Sequence, residues 1–474
     1  MISRRSFLAL AAGGAAAASA GELRHAWSAR PQRRINPAAT SVVRSKAGLL
    51  KLDLVAQEMP ISIPGTSRRA LTYNGLLPGP QLELEPGDLV QLELHNRLKN
   101  PTNLHFHGLH IPPNGTADNV FLRVTPGQKQ SYSFTLPDNH PAGLFYYHPH
   151  HHGTVADQVF GGLGGALLVR GELDRIPEVQ AAQEEVLVLK DLLAANEGSG
   201  SGVMLGREGS ILSVNGQVNP ELQVAAGGLL RLRLLNASNA RFWRLALEGH
   251  TMHLIATDGG ALEQPVPLQE SLLVPGECAD VLVQVAPEGG RFRLNNLPYK
   301  RLGRPGMGMR RPVTDQHQAD IVATVSTNGA VTPQPLPQRL LRVEEISSPV
   351  RTRRFVMNHG MVPSMGMAFL INGERYSHAR IDTRVRLGET EDWELVNTGV
   401  MDHPFHLHVN PMQVISRNGR PEPYRAWRDV VLVRSGETVR VRTRFNDFAG
   451  KSVYHCHIFD HEDLGMMGNI LIEA

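Results

Sequence analysis

The sequence has 474 residues, of which 41% are hydrophobic and 20% are charged, and its formal net charge is +3. A chain of this length and composition can bury large cores, and the length suggests three domains of ordinary size. The composition excludes a disordered, fibrous or membrane-spanning protein, and the small net charge excludes a broad basic surface for nucleic acid.

The first twenty residues have the pattern of an export signal. Arg4 and Arg5 precede a weakly apolar run of alanine and glycine, and a small-residue cleavage site ends at Ala20. The apolar run is too short and too rich in alanine to span a bilayer, which argues against a membrane anchor. We predict that residues 1–20 are a twin-arginine signal peptide, that residues 21–42 form a flexible arm, and that the mature protein is periplasmic or extracellular.

Beyond the arm, hydrophobic residues recur at every second position in short runs, such as 89–94 and 229–235, which are separated by Pro/Gly turns. This pattern is typical of the strands and turns of β-sandwiches, so we predict an all-β protein. The predicted domains are 43–170, 184–325 and 351–474, with a polar connector before the second and a proline-containing linker, 326–350, before the third.

A turn motif recurs once in each predicted domain. Pro-Gly-Asp at 86–88 is repeated by Pro-Gly-Glu at 275–277 and by Ser-Gly-Glu at 435–437, which indicates one sandwich repeated along the chain. The middle copy has no histidine pair at alternate-residue spacing. We therefore predict that the middle domain is a spacer that holds the first domain against the third.

Histidines are concentrated in four short clusters, and most of them are two residues apart. In an extended strand, residues at this spacing point to the same face. A protein core has no reason to collect imidazoles, which cost free energy to bury unless they are bonded, so the clusters indicate metal ligands. The clustered residues are His105, His107, His148, His150, His403, His406, His408, His455, His457 and His461.

The last cluster also contains Cys456, which points to the opposite face of its strand from the two neighbouring histidines. A thiolate, an imidazole five residues later at His461 and a thioether at Met466 form the ligand set of a blue copper centre when a second histidine joins them. His403, which lies upstream of its own histidine pair, is the natural donor. One strand therefore serves two metal sites.

In this order and at these spacings, the four clusters resemble those of the multicopper oxidases, the family of laccases, bilirubin oxidases and cuprous oxidases. Met-Asp-His-Pro-Phe-His-Leu-His at 401–408 and His-Glu-Asp-Leu-Gly-Met-Met at 461–467 are most similar to the bacterial laccase-like branch, and the resemblance runs from Val43 to Ala474. It implies three cupredoxin-like Greek-key β-sandwich domains. It also implies an enzyme that passes single electrons from a type 1 copper to three further coppers, where dioxygen is reduced to water.

The resemblance implies a place for each ligand and a total of four copper ions per chain. The type 1 copper is bound by His403, Cys456, His461 and Met466. The type 2 copper is bound by His105 and His406. The type 3 pair is bound by His107, His148, His150, His408, His455 and His457. A thioether at the axial position argues for a low to medium redox potential.

Two acidic residues match positions that the family uses near the oxygen site. Glu462 follows the last clustered histidine, and Asp118 lies in the loop after the first histidine pair. We predict that both serve the proton supply of oxygen reduction. The alternative is that they are solvated loop carboxylates.

The sequence leaves the electron donor open. A laccase oxidises phenols or aromatic amines and needs an open edge at its type 1 histidine, His461. A cuprous oxidase, which serves periplasmic copper tolerance, needs soft thioethers that gather Cu(I). We favour the laccase-like function and keep the cuprous oxidase as the alternative. The methionines available for Cu(I) are Met307, Met309, Met357, Met361, Met365, Met367 and Met401.

A third class of function is a metal-free cupredoxin-fold scaffold protein of cell division. The complete set of ligand residues argues against it. The second cysteine, Cys278, has no partner if Cys456 binds metal, and we predict a buried, inert thiol. We further expect a monomer with no partner beyond dioxygen and its small donors.

Overall fold

The computed structural model describes residues 41–64, 66–194, 197, 204–301, 319–362 and 366–474. The predicted signal peptide and nearly all of the predicted arm lie outside the described residues. In the described part the chain forms three β-sandwiches, each made of two sheets, so the predicted all-β class is confirmed. No helix in this part is long and apolar enough to cross a membrane.

The first sandwich pairs a five-stranded sheet with a four-stranded one. Its strands are β1 (Val42–Arg44), β2 (Leu49–Ile63), β3 (Thr66–Tyr73), β4 (Gln81–Leu84), β5 (Leu89–Asn96), β6 (His105–His107), β7 (Lys129–Thr135), β8 (Gly143–His148) and β9 (Gly165–Val169). The sheet orders are β1-β4-β9-β8-β6 and β3-β2-β5-β7. A short helix, α1 (Val155–Gly161), connects β8 to β9.

A connector with a 3₁₀ turn (Glu172–Arg175) and helix α2 (Pro177–Ala181) leads to the second sandwich. Its strands are β10 (Gln183–Leu192), β11 (Ile211–Val214), β12 (Glu221–Ala226), β13 (Leu229–Asn236), β14 (Trp243–Leu247), β15 (Met252–Thr257), β16 (Gly260–Leu268), β17 (Ser271–Leu273), β18 (Cys278–Gln284), β19 (Arg291–Leu297) and β20 (Asp320–Ala330). The sheet orders are β11-β10-β13-β18-β15-β16 and β12-β20-β19-β14-β17.

The third sandwich contains the C-terminal half of the histidine clusters. Its strands are β21 (Arg351–Val362), β22 (Gly366–Ile371), β23 (Thr383–Arg386), β24 (Thr390–Asn397), β25 (His403–Leu407), β26 (Met412–Arg417), β27 (Arg420–Pro421), β28 (Trp427–Arg428), β29 (Val430–Val433), β30 (Thr438–Arg444), β31 (Gly450–Cys456) and β32 (Met467–Glu473). The sheet orders are β22-β21-β24-β30-β26-β27, with β28 on β26, and β23-β32-β31-β25-β29. Helix α3 (Phe459–Asp463) joins β31 to β32.

Alternation along the strands explains how each sandwich forms its core. In β5, Val90, Leu92 and Leu94 are buried, whereas the residues between them are partly or fully exposed. Burying a side chain of this size stabilises the fold by about 1.5–3 kcal/mol. Each sandwich has a large core cluster of its own, and the first is built around Tyr132 and Phe106.

The strand register brings the histidine clusters together in pairs. In the first sandwich β6 pairs with β8, so that His105 lies opposite His148. In the third, β25 pairs with β31, so that His406 lies opposite His455. Asp463 accepts hydrogen bonds from the main-chain amides of two residues in and before α1, which fastens the third domain to the first.

The second domain packs against the first through a buried apolar cluster. Cys278, at the start of β18, lies in this cluster with Leu144, Tyr146 and Leu235 and is 2% exposed. Burial raises the pKa of its thiol well above the usual value. These surroundings fit the predicted buried thiol.

At the far end of the same domain, β20 continues to Ala330, past the predicted boundary at residue 325, because its outer residues pair with β12.

Candidate metal centre

Eight of the clustered histidines meet in one buried region between the first and third domains. The first domain contributes two pairs, one on β6 and one at the end of β8, and the third contributes one pair at the end of β25 and one at the end of β31. None of the eight side chains is more than 2% exposed. The residues are His105, His107, His148, His150, His406, His408, His455 and His457.

Three of them, His107, His148 and His457, have ring nitrogens that lie within 4.8 Å of one another. The closest approach joins His457 Nε2 to His107 Nδ1 at 3.1 Å. Nitrogens bound at about 2.0–2.1 Å to one ion would be separated by roughly 3.3–3.5 Å. The trio could therefore hold a metal ion after small side-chain shifts.

In a second trio, His150, His408 and His455, the ring nitrogens also lie within 4.8 Å of one another. The Nε2 atom of His455 lies 3.0 Å from Nε2 of His150 and 3.0 Å from Nε2 of His408. The Nδ1 of His455 donates to the main-chain oxygen of Cys456 at 3.0 Å, which leaves the Nε2 lone pair facing the other two rings. The two trios comprise the six residues that the resemblance implies for the type 3 pair.

The remaining two histidines, His105 and His406, share a group of converging nitrogens with His107. The Nδ1 of His105 donates to Asp118 at 2.6 Å, and the Nδ1 of His406 donates to the main-chain oxygen of Asp429 at 2.8 Å. Their Nε2 atoms are buried without a hydrogen-bond partner among the described residues. A histidine that donates from one nitrogen and keeps the other free is typical of a metal ligand.

Burial keeps these imidazoles in the form that binds metal. Desolvation lowers the pKa of all eight, and those of His107 and His455 fall to about 3. For the others the pKa also lies below its usual value, with neighbouring histidines adding to the effect. Neutral imidazole is the ligand form, so the cluster is ready to bind cations without releasing protons.

A second group of converging atoms lies behind β31 in the third domain. The Sγ of Cys456 is 3.6 Å from Nδ1 of His403 and 3.7 Å from Nδ1 of His461, and the two nitrogens are 3.3 Å apart. Met466 is fully buried beside them, and its main-chain oxygen accepts a hydrogen bond from the Cys456 amide at 3.0 Å. Burial raises the pKa of the Cys456 thiol, and a cation bound at this site would favour its thiolate form.

Cys456 connects the two groups covalently. It lies between His455, which belongs to one trio, and His457, which belongs to the other. Its own side chain points to the group that contains His403 and His461. Alternation along the strand produces this arrangement, as the sequence predicts. The path from sulfur to either imidazole consists of covalent bonds within neighbouring residues.

The structure places both predicted acidic residues at the histidine cluster. Asp118 accepts from His105 Nδ1 and from the Phe106 amide at 3.0 Å, and its second oxygen is 3.5 Å from Nδ1 of His408. Burial raises its pKa to about 7. Neither Asp118 nor Glu462 is solvated, since they are 2% and 0% exposed.

Glu462 lies on the other side of the cluster. Its carboxylate oxygens are 3.2 Å from Nδ1 of His455 and 3.7 Å from Nδ1 of His150. Desolvation raises the pKa of Glu462 well above the usual value. A carboxyl group in this position contacts one trio and can hold a proton beside it.

The structure also shows residues that the sequence analysis missed. Asp429 accepts a hydrogen bond from Nε2 of His107 at 3.2 Å, and Asp258 of the second domain accepts from the amides of Asp429 and Val430. The ring of His457 lies against Gly276, also in the second domain. Gly276 lies in the recurring turn motif, but neither that motif nor any other local signal predicts contact with the cluster, because each of these residues reaches it from a distant segment.

The methionines that the sequence offers for Cu(I) differ in how exposed they are in the structure. Met357 and Met401 are buried in the core of the third domain, whereas Met361 is 73% exposed and Met367 is half-buried. Met307, Met309 and Met365 lie outside the described residues. Only Met361 and Met367 are therefore accessible among the described members of this set.

The edge of His461 is closed in the described structure. The residue is 0% exposed, and its Nε2 donates a hydrogen bond to the main-chain oxygen of Met204 at 3.0 Å. The ring stacks on Phe369 with 3.8 Å between centroids. The open edge that a laccase needs at this histidine is therefore absent from this part of the chain.

Comparisons with known proteins agree with this architecture. Sequence models of the multicopper oxidase family match residues 55–174, 182–305 and 345–474. The chain is 30% identical over 414 residues to the multicopper oxidase mco of Staphylococcus haemolyticus, covering 85% of this chain and 83% of the relative. It is also 31% identical over 423 residues to the cell division protein FtsP of Xenorhabdus nematophila, covering 84% of each.

Solved structures extend the similarity to the whole fold. A multicopper oxidase from Campylobacter jejuni, described as a metallo-oxidase, superposes with a TM-score of 0.81 at 32% identity, covering 93% of this chain and 95% of the other. The laccase-like multicopper oxidase CueO from Ochrobactrum sp. superposes with a TM-score of 0.78 at 26% identity, covering 91% and 99%. The chain belongs to the multicopper oxidase family, and its sandwiches are the cupredoxin-like domains of that family.

The family implies copper, and the residues present fit it. Buried neutral imidazoles converge with free lone pairs, and a cysteine is held between two histidines beside a buried methionine. Imidazole and soft sulfur are donors that suit copper.

Proposed function

We propose that the protein is a four-copper oxidase that couples one-electron oxidation of a donor to the four-electron reduction of dioxygen to two waters. The convergence of eleven donor residues into one sulfur-containing site and one all-histidine cluster, with Met466 buried beside the first, supports this proposal. Copper would supply reversible one-electron transfer at the first site and dioxygen binding at the second.

The proposed ligand assignment follows the groups of converging atoms. His403, Cys456, His461 and Met466 hold the type 1 copper, and His105 and His406 hold the type 2 copper. His107, His148 and His457 hold one type 3 copper, and His150, His408 and His455 hold the other. Each type 3 ion thus takes ligands from both the first and the third domain, so copper binding stabilises their contact.

In this proposal the two buried carboxyl groups handle protons. Asp118 accepts from Nδ1 of His105 and so fixes the tautomer of a proposed type 2 ligand. Glu462 lies 3.2 Å from Nδ1 of His455, a nitrogen that donates to the main-chain oxygen of Cys456. Each oxygen molecule takes up four electrons and four protons. Burial raises the pKa of both carboxyl groups, that of Asp118 to about 7, so each holds a proton more readily than an exposed carboxyl group and could donate it to reduced oxygen.

The closed edge of His461 is the observation that favours one of the proposed donors over the other. A phenol needs direct access to this ring or close contact with it, but the ring is buried, with the Met204 oxygen at its Nε2 and the Phe369 ring stacked on one face. A small metal ion needs only ligands nearby. We therefore place Cu(I) first as the donor, in the balance 4 Cu(I) + O₂ + 4 H⁺ → 4 Cu(II) + 2 H₂O.

Two antiparallel strands next to the site carry side chains that suit Cu(I). On β21 and β22, His359 pairs with Phe369, and Met361 pairs with Met367. Cross-strand partners and residues two apart share a face, so these side chains lie on the face that Phe369 directs at His461. Thioether and imidazole are soft donors, and the metallo-oxidase from Campylobacter jejuni is similar over nearly the whole chain.

A laccase-like activity on phenols or aromatic amines is the second candidate. The similarity to the Ochrobactrum enzyme, which is described as having oxidase activity towards lignin model compounds, favours it. A cell-division role, as named for FtsP, is the third candidate, and the intact donor set favours the oxidase. Export through the twin-arginine pathway would place the enzyme where a copper-tolerance function requires it.

Oxygen uptake by the copper-loaded protein tests the proposal. The donors are Cu(I) and, separately, a methoxyphenol, the latter in buffer with and without free Cu(II). We expect uptake with Cu(I), and phenol oxidation only when copper is added. Phenol turnover that persists without added copper would favour the laccase, and no uptake with any donor would refute the oxidase.

A further inference from the structure

A short segment of the second domain lies across the outer edge of the type 1 histidine. We call residues 204–209 the strap. Its first residue, Met204, supplies the main-chain oxygen that accepts from Nε2 of His461. The Nδ1 of the same ring faces Cys456 and His403. The strap therefore accepts the hydrogen bond of Nε2, the ring nitrogen that points away from the proposed copper.

The strap is fastened to the residue that precedes His461. The main-chain amide of Arg207 donates to Asp460 at 2.7 Å, and its Nε donates to the same carboxylate at 2.8 Å. Asn239 donates to Asp460 at 2.7 Å from the second domain. Arg207 also pairs with Asp157 of α1 at 2.7 Å, so one side chain joins all three domains. Asp460 is 4% exposed, and bidentate pairing to a buried carboxylate is strong and directional.

A second set of contacts connects the strap to the segment of His403, the other histidine of the type 1 group. Arg301 donates to the main-chain oxygen of Leu205 at 2.6 Å and pairs with Glu208 at 2.5 Å. The main-chain oxygen of Arg301 in turn accepts from the amide of Asp402 at 3.0 Å, next to His403. The strap is thus connected to the flanking residues of both histidines in the type 1 group.

Gly206 lets the strap approach this closely. Its φ is +79°, and a Cβ at this position would lie 2.4 Å from Cβ of Ala240 and 2.6 Å from Cγ2 of Ile458. Side-chain carbons do not approach to such distances, so any larger residue would push the strap away from the site.

We infer that the strap is a specificity-determining element that excludes aromatic donors from His461 and confines electron entry to small donors. This inference rests on the proposed function and deepens it, because it names the residues that select the donor. The Arg207–Asp460 contact holds the strap against His461. The Met204 oxygen fills the position that a phenol hydroxyl would need in order to form a hydrogen bond with the ring.

Arg207→Ala in the copper-loaded enzyme tests the inference, with Gly206→Val as a second variant that pushes the strap outward. The matched control is Arg291→Ala, which removes an arginine from an exposed ion pair with Glu221 in the same domain. Hydrogen–deuterium exchange of the 204–209 amides reports on the strap directly. The kinetic readout is kcat/KM for a methoxyphenol relative to that for Cu(I).

We expect faster exchange in the strap and about a 10-fold rise in this ratio, through a lower KM for the phenol, in both variants and not in the control. Faster exchange with an unchanged ratio would overturn the inference, because the strap would then be released without admitting the phenol. Unchanged exchange in both variants would overturn it as well, since these contacts would not hold the strap. Absence of oxygen uptake by the unmodified enzyme with every donor would refute the proposed function instead.

Discussion

The imidazole ring of His457 lies directly against Gly276, a residue of the second domain that is 181 positions away from it. A Cβ atom on Gly276 would lie 2.6–2.7 Å from three atoms of that ring. The second domain therefore contacts the proposed type 3 site directly. Asp258, which binds the segment carrying Asp429, adds a second contact of this kind.

Gly276→Ala is expected to displace the ring of His457 and weaken copper binding in the histidine cluster. The added methyl group cannot be accommodated without moving the ligand, and loss of a supporting contact typically costs about 10–100-fold in metal affinity. Copper content per chain and oxygen uptake are the measurements. The type 1 colour should remain, because its ligands do not contact this glycine.

Gly436→Ala is the matched control, because Gly436 occupies the same turn in the third domain. Both glycines have a positive φ, +84° and +75°, so alanine costs about 1–2 kcal/mol of backbone strain at either position. A Cβ at Gly436 meets nothing within 4 Å. Equal copper loss in both variants would show that backbone strain, and not the His457 contact, is responsible.

Cys456→Ser should abolish the blue colour and donor oxidation while leaving copper in the histidine cluster. The hydroxyl group cannot replace the thiolate as ligand or as the start of the covalent path, whereas the eight histidines are unchanged. Visible absorption, copper content and donor-dependent oxygen uptake check this. The control is Cys278→Ser, which alters the other buried cysteine and should keep the colour. Unchanged donor turnover by Cys456→Ser would contradict the proposed electron path.

The sequence predicts the class of fold and the histidine clusters because both depend on local spacing, whereas the full division of the clusters into two sites came from the family resemblance. Alternation along a strand places His455 and His457 on one face and Cys456 on the other wherever the strand lies. The family resemblance implied the six type 3 ligands as one set, and their division into two trios comes from the converging atoms in the structure.

Other parts of the site could not be predicted, because they depend on contacts between domains. Asp429 and Gly276 meet histidines from segments far away in sequence. The closure of His461 by Met204 joins residues 257 positions apart. The predicted spacer role of the second domain thus left out its contacts with both proposed sites.

Glu462→Gln should slow oxygen reduction and leave donor oxidation at the type 1 site intact. The amide keeps the shape of the side chain beside His455 and His150 but cannot donate and regain a proton. Loss of a positioned proton donor typically costs about 100-fold or more in rate. Stopped-flow reoxidation of the reduced enzyme by dioxygen measures this step separately from type 1 reduction.

Glu394→Gln, which alters a surface ion pair with Arg440 in the same domain, is the control for that experiment. Its reoxidation rate should equal that of the unmodified enzyme. If Glu462→Gln also reoxidises at the unmodified rate, the proposed proton role of Glu462 is wrong.

His140 provides a test of pH-dependent stability outside the proposed ligand set. The side chain is buried, its Nε2 accepts from the amide of His110 at 3.1 Å, and its Nδ1 donates to the main-chain oxygen of Pro141 at 3.0 Å. Burial lowers its pKa to about 4 from the usual 6.5. The folded protein therefore holds His140 neutral in a range where the unfolded chain binds a proton.

The sign of the effect follows from this difference. Stability contributed by neutral His140 is fully present above pH 6.5 and is lost as the pH falls through the folded-state pKa, near 4. The expected slope is at most about 1.4 kcal/mol per pH unit between these values. His140→Gln should reduce the slope of the free energy of unfolding against pH in this window, by an amount that corresponds to at most one bound proton. Parallel plots for the unmodified protein and the variant would show that His140 does not cause this pH dependence.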